Sequence, residues 1–257
     1  MVVVLVLLAI FVLGFLLVRT QPAVRQWFKD LSTLFPWLHY EPKSSYTDGQ
    51  KRQLALSAPL ASAASAYFES LVTGQELKRL EDYGIEDVQK ARGTIEYRLS
   101  ARESSHIVQI YQAFTLRSSP KYREFLEGVT GGDEAYYREL VRMHDNLVKT
   151  HGNLRKLGVI EQDSDILSIG LVAWDAALAC WFARCSYELG YISEEDAWSY
   201  IARADGMARK VFTSWEGFGR SFLLGQAIVT GSMSVGTKAI VYELLRSKRS
   251  PWLKYEW

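Results

Sequence analysis

The chain reads as all-α, with one N-terminal transmembrane helix followed by a compact multi-helix soluble domain. Three observations predict this. Residues 2–18 form an unbroken apolar run without a charge. Apolar residues then recur three and four apart through most of the chain, between glycine and proline breaks, which is the spacing of helices that bury one face. No segment alternates apolar and polar in the manner of a half-buried strand, and no block repeats at a fixed period.

The first run, VVVLVLLAIFVLGFLLV, is at the short end of what spans a bilayer. A cleavable signal would begin with a basic stretch and end at a small-residue cleavage site, and this run has neither. It is therefore read as an anchor, residues 1–20. Arg19, Arg25 and Lys29 follow it directly, so the positive-inside rule places the domain on the cytoplasmic side of the membrane, with the N-terminus outside. Trp27, Phe28, Phe35 and Trp37 suit the headgroup layer or the domain surface equally. Residues 21–56 are expected to be a juxtamembrane segment and linker, turn-rich at Pro42, Ser44, Ser45, Asp48 and Gly49.

The domain is expected over 57–247. Helical spacing covers 58–73 up to Gly74, 85–102 after Gly84, and 104–117 before Pro120. The clearest stripe runs over 133–157, through Tyr136, Leu140, Met143, Leu147, Leu154 and Leu157. A helix from Ser164 or Asp165 to Leu189 stops at Gly190. Ser193 with Glu194, Glu195 and Asp196 marks the start of a helix to about Val211, the hydroxyl capping and the acids meeting the positive end of the helix dipole. Ser214 caps a helix from Trp215 to about Gly231, and a last helix covers about 235–247. Residues 222–237 are uncharged but rich in glycine, serine and threonine, which fits a buried helix junction better than a second span. The tail 248–257 is basic and aromatic. With Arg246 it offers Lys248, Arg249 and Lys254 beside Trp252, Tyr255 and Trp257, a mixture suited either to an anionic membrane surface or to packing on the domain.

Composition narrows the function classes. A net charge of +1 on 257 residues provides no general field for nucleic acid. Cys180 and Cys185, five apart on a helix, point about 140° from each other and are poorly placed for a disulfide. His144 and His151 share a face but are about 10 Å apart along the axis, too far to hold one metal unaided. No zinc, phosphate-loop, dinucleotide or nucleophile-elbow motif occurs, so neither a metal nor a cofactor is expected.

Asp175 is the residue that asks for an explanation. On a helix it shares a face with Leu171, Leu178, Ala179 and Phe182, where a carboxylate needs a partner. Arg184 and Arg220 are the candidates, and Glu216 can pair with Arg220 one turn away. The cluster is either a structural ion pair fixing a helix crossing or a pocket rimmed by Trp174, Trp198 and Trp215, with Asp175 as base and Arg220 as anion clamp.

Ala173-Trp174-Asp175 with Arg184, Gly190-Tyr191-Ile192-Ser193-Glu194-Glu195 with Ala197-Trp198, and Ser214-Trp215-Glu216 with Phe218-Gly219-Arg220-Ser221 and Leu224-Gly225 stand in this order and spacing. Together, over about 165–225, they resemble the bacterial DUF1266 family, a domain of unknown function. Gly217 and Gln226 stand where a bulkier polar and a basic residue are more usual. The resemblance implies a helical fold and a bacterial source, and no activity. Two functions are expected in order. The first is protein–protein interaction by a membrane-anchored domain, in an accessory, regulatory or immunity-type role. It has the bilayer as partner through residues 2–18 and a protein of unknown identity, with Trp174, Trp198, Trp215, Glu216 and Arg220 as the binding face. The alternative is an enzyme acting on a small anionic or membrane-derived substrate through Asp175, Arg184 and Arg220.

Overall fold

The computed structural model describes residues 40, 44–74, 80 and 83–257. The expected anchor, its flanking charges and the aromatic residues Trp27 to Trp37 lie outside the described residues. Among the described residues every regular element is helical and no strand forms.

Helix α1, Asp48–Leu54, falls within the expected linker. Thr47 and Gln50 form a reciprocal capping box, the Gln50 N–H donating to the Thr47 hydroxyl and the Thr47 N–H to the Gln50 side chain. The polar composition of this stretch therefore belongs to a helix start. Leu54 and the short 3-10 turn Ala55–Ser57 are buried, so the domain begins before residue 57. Helix α2, Ala58–Ala64, stops far short of the expected end at 73. Ser65 takes a left-handed φ of 55°, and the Ala66 N–H closes back to Ala61 at 2.8 Å. Beyond it, residues 65–74 are irregular because side chains of a later helix bind their backbone, as described below.

Helices α3 (Val88–Leu99), α4 (Arg102–Ser105) and α5 (Ile107–Thr115) occupy the next two predicted stretches. Asp87 caps α3 through the Lys90 N–H at 2.7 Å. Helix α6, Lys121–Thr130, has no counterpart in the sequence reading. It follows Pro120 and buries only Leu126 and Thr130, too narrow a stripe to announce itself. Helix α7, Glu134–Lys156, buries Leu140, Met143, Leu147 and Leu154 as expected. The break at Thr150 is only chemical, since its hydroxyl donates to the Asn146 carbonyl at 2.7 Å and the stripe continues.

The helix expected over 165–189 is two helices, α8 (Asp165–Ile169) and α9 (Val172–Glu188). Between them Gly170 adopts φ 61° and ψ −172°, a region that essentially only glycine enters. Ser221 of a later helix secures the break. Its hydroxyl donates to the Gly170 carbonyl at 2.9 Å and accepts the Ala173 N–H at 3.3 Å.

Every residue from Ala173 to Ser186 is buried, so α9 is the axis of the fold. Residues 165–188 are long and apolar enough to cross a membrane, but most of this stretch is enclosed within the domain, as in a central core helix. Around α9 pack α10 (Glu194–Arg209), α3, α11 (Trp215–Thr230), the 3-10 turn and α2. Helix α11 also packs on α7, which carries α5 and α6, while α12 (Val235–Arg246) rests on α2 and α11. Ser193 and Asp196 form the capping box of α10 and Ser214 caps α11, as their sequences predict.

At Gly225 α11 lies tight against α9. A Cβ there would overlap the Cβ of Trp174. Gly225→Val is therefore expected to destabilise the fold by about 1–3 kcal/mol or more through overpacking. Equilibrium urea denaturation followed by circular dichroism measures it, and a neutral result would mean that the two helices can move apart freely.

Candidate functional site

Asp175 sits in the first turn of α9 and is wholly enclosed, at 0% exposure. Its observed partners come from elements other than those expected. Arg98 of α3 brings Nη1 to 3.4 Å from Oδ1, and Ser104 of α4 donates its hydroxyl at 2.7 Å and its N–H at 3.3 Å to Oδ2. A cation and two further donors offset the cost of burying the carboxylate. The ion pair joins α3, and the Ser104 hydrogen bonds join α4, to the central helix.

Beside it, Glu139 of α7 accepts the Tyr97 hydroxyl at 3.1 Å and lies 3.8 Å from Arg102 and 4.0 Å from His106. His106 is buried with its ring against Tyr136. Burial depresses the His106 pKa below its usual 6.5 and Arg102 adds to this, while Glu139 pulls the other way. The folded state thus favours the neutral imidazole. The contribution of His106 to stability is present above the unfolded pKa and is lost as pH falls below about 6.5. His106→Gln is expected to flatten the acid-side fall of stability with pH, read from urea midpoints across a pH series. An unchanged slope would remove His106 from the acid response.

Arg184 is also fully buried, at the other end of α9. It donates Nη1 to the Ser57 hydroxyl at 2.9 Å and Nη2 to the Tyr67 carbonyl, with its guanidinium over the Trp181 ring. Burial pushes its pKa down, opposed by Cys180, Cys185 and Glu188. One turn on, Glu188 accepts the Thr73 N–H and hydroxyl at 2.7 and 2.5 Å and the Gly74 N–H at 3.3 Å. Together these two side chains replace the backbone hydrogen bonds that a longer α2 would have made. Both cysteines are buried, and burial raises the Cys180 pKa against the opposing charge of Arg184.

The three tryptophans do not meet. Trp174 packs on Phe222 at 5.3 Å. Trp198 meets Tyr46 edge-on at 5.0 Å and donates to Glu194 at 3.4 Å. Trp215 stacks on Trp252 at 5.2 Å, meets Trp257 edge-on at 4.6 Å, and donates to the Tyr255 carbonyl at 2.8 Å.

This last cluster draws in the tail. Ser250 caps a short helix α13, Pro251–Lys254. Trp252 donates to the Ala55 carbonyl at 2.9 Å and Trp257 to the Phe212 carbonyl at 2.8 Å. Lys254 and the Tyr255 hydroxyl reach the buried Glu69 at 2.5 and 2.7 Å, and burial with Glu69 raises the Tyr255 pKa to about 12. Trp252 and Tyr255 are thus buried against the domain and Trp257 is half-buried on it, while Lys248 and Arg249 remain exposed.

Glu216 and Arg220 do converge on an opening. They line a groove between α11 and α12, with a pocket of about 120 Å³. Glu216, Arg220 and Leu223 form one wall at helical spacing. Lys238, Val241, Tyr242 and Leu245 form the other, and Leu157, Gly158 and Val159 close one end. Arg220 holds that end by donating Nε and Nη2 to the Val159 carbonyl at 3.3 and 3.1 Å, and its nearest carboxylate, Asp165, stands 4.0 Å away. On the opposite rim Tyr242 is 44% exposed, with Arg246 3.6 Å and Lys238 5.5 Å from its ring centre.

The family model for Protein of unknown function (DUF1266) matches residues 80–257, more than half of the chain and all of this groove. The chain belongs to the DUF1266 family. No curated protein and no solved structure matches it. The DUF1266 match takes in both Asp175 and its partner Arg98, and extends over the tail as far as Trp257. Within this DUF1266 domain His144 stacks on Tyr122 and contacts Asp145, whereas His151 contacts Asp163, so the two histidines serve separate neighbours. Glu194 and Asp196 likewise point to Trp198 and Arg92. Sequence reasoning missed Arg98 and Ser104, which lie outside the stretch that carried the resemblance. It also missed Lys238, Tyr242 and Arg246, although their spacing of four along α12 places them on one face.

Proposed function

We propose that this chain is a membrane-anchored helical domain that acts by protein–protein interaction, in an accessory, regulatory or immunity-type role. Residues 2–18 supply the tether and the groove between α11 and α12 receives the partner. One observation carries the reading: Glu216 and Arg220 open onto an apolar-floored groove, whereas Asp175 is sealed. An enzyme using Asp175, Arg184 and Arg220 needs the three around one cavity. Each instead has its own partners, namely Arg98 with Ser104, Ser57 with Tyr67, and Val159 with Asp165.

The test is site-specific photocrosslinking in cells, with a photoreactive residue at Tyr242 and, as control, at the exposed Val148 of α7. A crosslinked species at Tyr242 alone, abolished by Arg220→Glu, is expected. No adduct, or equal adducts at both positions, would overturn the proposal.

A further inference from the structure

The chemistry of the groove specifies its occupant. Its walls are helix faces with contacts at spacings of three, four and seven residues, so each runs about 10 Å, two helical turns. A third helix fits such a trough, and helix-in-groove recognition works through anchors at that spacing. The floor is aliphatic, made by Leu157, Val159, Leu223, Val241 and Leu245. At about 120 Å³ the pocket is smaller than the ~150 Å³ cavity that accepts benzene, so it takes one aliphatic side chain.

The rim sets the charge. Arg220 and Lys238 line the opening and Arg246 stacks on Tyr242 at its edge, against Glu216 as the acid in the lining. The carboxylate nearest Arg220 is 4.0 Å off. Lys238 and Arg246 are engaged by the Tyr242 ring, and Arg246 also by its hydroxyl at 2.5 Å. Among the described residues no carboxylate pairs with Lys238 or Arg246, so these ring-held cations stay available to an incoming anion. Lys238 and Arg246 are eight residues apart, about 12 Å along α12, and so face acids two turns apart on an adjacent helix. The concave, aliphatic floor argues against a flat lipid surface, which would need apolar groups that protrude.

We infer that the groove binds an acidic amphipathic helix of a protein partner, with one Leu-sized residue in the pocket and carboxylates on either side meeting Lys238, Arg246 and Arg220. This rests on the interaction reading above and adds the chemistry of the partner. It is tested with the full chain in phosphatidylcholine nanodiscs, panned against a displayed library of randomised helical peptides. Enriched peptides are expected to carry one aliphatic residue with Asp or Glu about one turn to each side. The double change Lys238→Glu and Arg246→Glu is expected to weaken them at least tenfold in fluorescence anisotropy, and peptides with those acids replaced by lysine are expected to recover binding to that variant. Leu223→Trp, which fills the pocket, supplies an independent loss. No enrichment, enrichment of neutral or basic peptides, or binding indifferent to charge reversal overturns the inference. So does preferential binding of phosphatidylglycerol vesicles through the same residues. If Tyr242 crosslinks specifically in cells while the enriched peptides lack acids, the partner chemistry is wrong and the interaction reading stands.

Discussion

Asp175→Ala is expected to cost the fold about 3–5 kcal/mol, the usual penalty for removing one member of a buried ion pair. The loss comes from what is left behind. Arg98, with only 15% of its side chain exposed, keeps its charge beside an empty site, and the Ser104 hydroxyl and N–H lose their acceptor. Because α3 and α4 meet the central helix at this point, the damage extends to their docking. Asp175→Asn keeps the shape and can still accept from Ser104, so it should cost less. Joint replacement of Arg98 and Asp175 by Met and Leu should recover much of the loss, since a well-packed apolar pair often equals a buried ion pair. Urea denaturation of the four chains reads this directly. An alanine variant within 1 kcal/mol of the parent would mean that the pair does not hold α3 to α9.

Trp252→Ala is the second large effect, also expected at about 3–5 kcal/mol. Its ring is nearly parallel to Trp215, at 7°, and meets Phe218 edge-on at 5.9 Å. Its N–H satisfies the buried Ala55 carbonyl 197 residues earlier in the chain. Alanine opens a cavity in the aromatic cluster and leaves that carbonyl unpaired. Trp252→Phe restores most of the volume and lacks the hydrogen bond, so the two variants separate packing from bonding. Since the ring joins the tail to the 3-10 turn ahead of α2, protease cleavage after Lys254 should rise in the alanine variant. Unchanged stability and cleavage would show that the tail is dispensable.

The helices that could be read from the sequence were those whose ends carry their own chemistry. Ser193 with Asp196, and Ser214 ahead of Trp215, cap α10 and α11 where their side chains predict. The α7 stripe was equally plain, because period and burial agree from Leu140 to Leu154. Reading failed where a distant side chain decides local structure. Nothing near Ala64 says that Arg184 and Glu188 bind residues 67–74 and so end α2 early. Gly170 could be seen as a glycine, but the break there depends on Ser221, fifty-one residues away. The incompatibility of Asp175 with its apolar face locates the cluster but does not identify its partner. Arg184 and Arg220 are close in sequence, whereas Arg98 is 77 residues away, reached only because α3 packs along α9. The groove was half visible, through Glu216 and Arg220. Its other wall lies on α12, whose sequence resembles an ordinary solvated helix.

In the proposed reading the Asp175 cluster builds the domain and the α11–α12 groove receives the partner. Crosslinking from Tyr242 in cells, measured per folded molecule in Lys238→Glu and Asp175→Asn chains alongside urea stability, tests both halves at once. Lys238→Glu is expected to abolish the adduct with stability unchanged, and Asp175→Asn to lower stability with the adduct retained. Loss of the adduct in folded Asp175→Asn, with Lys238→Glu behaving as the parent, would contradict it and place the function at the buried cluster.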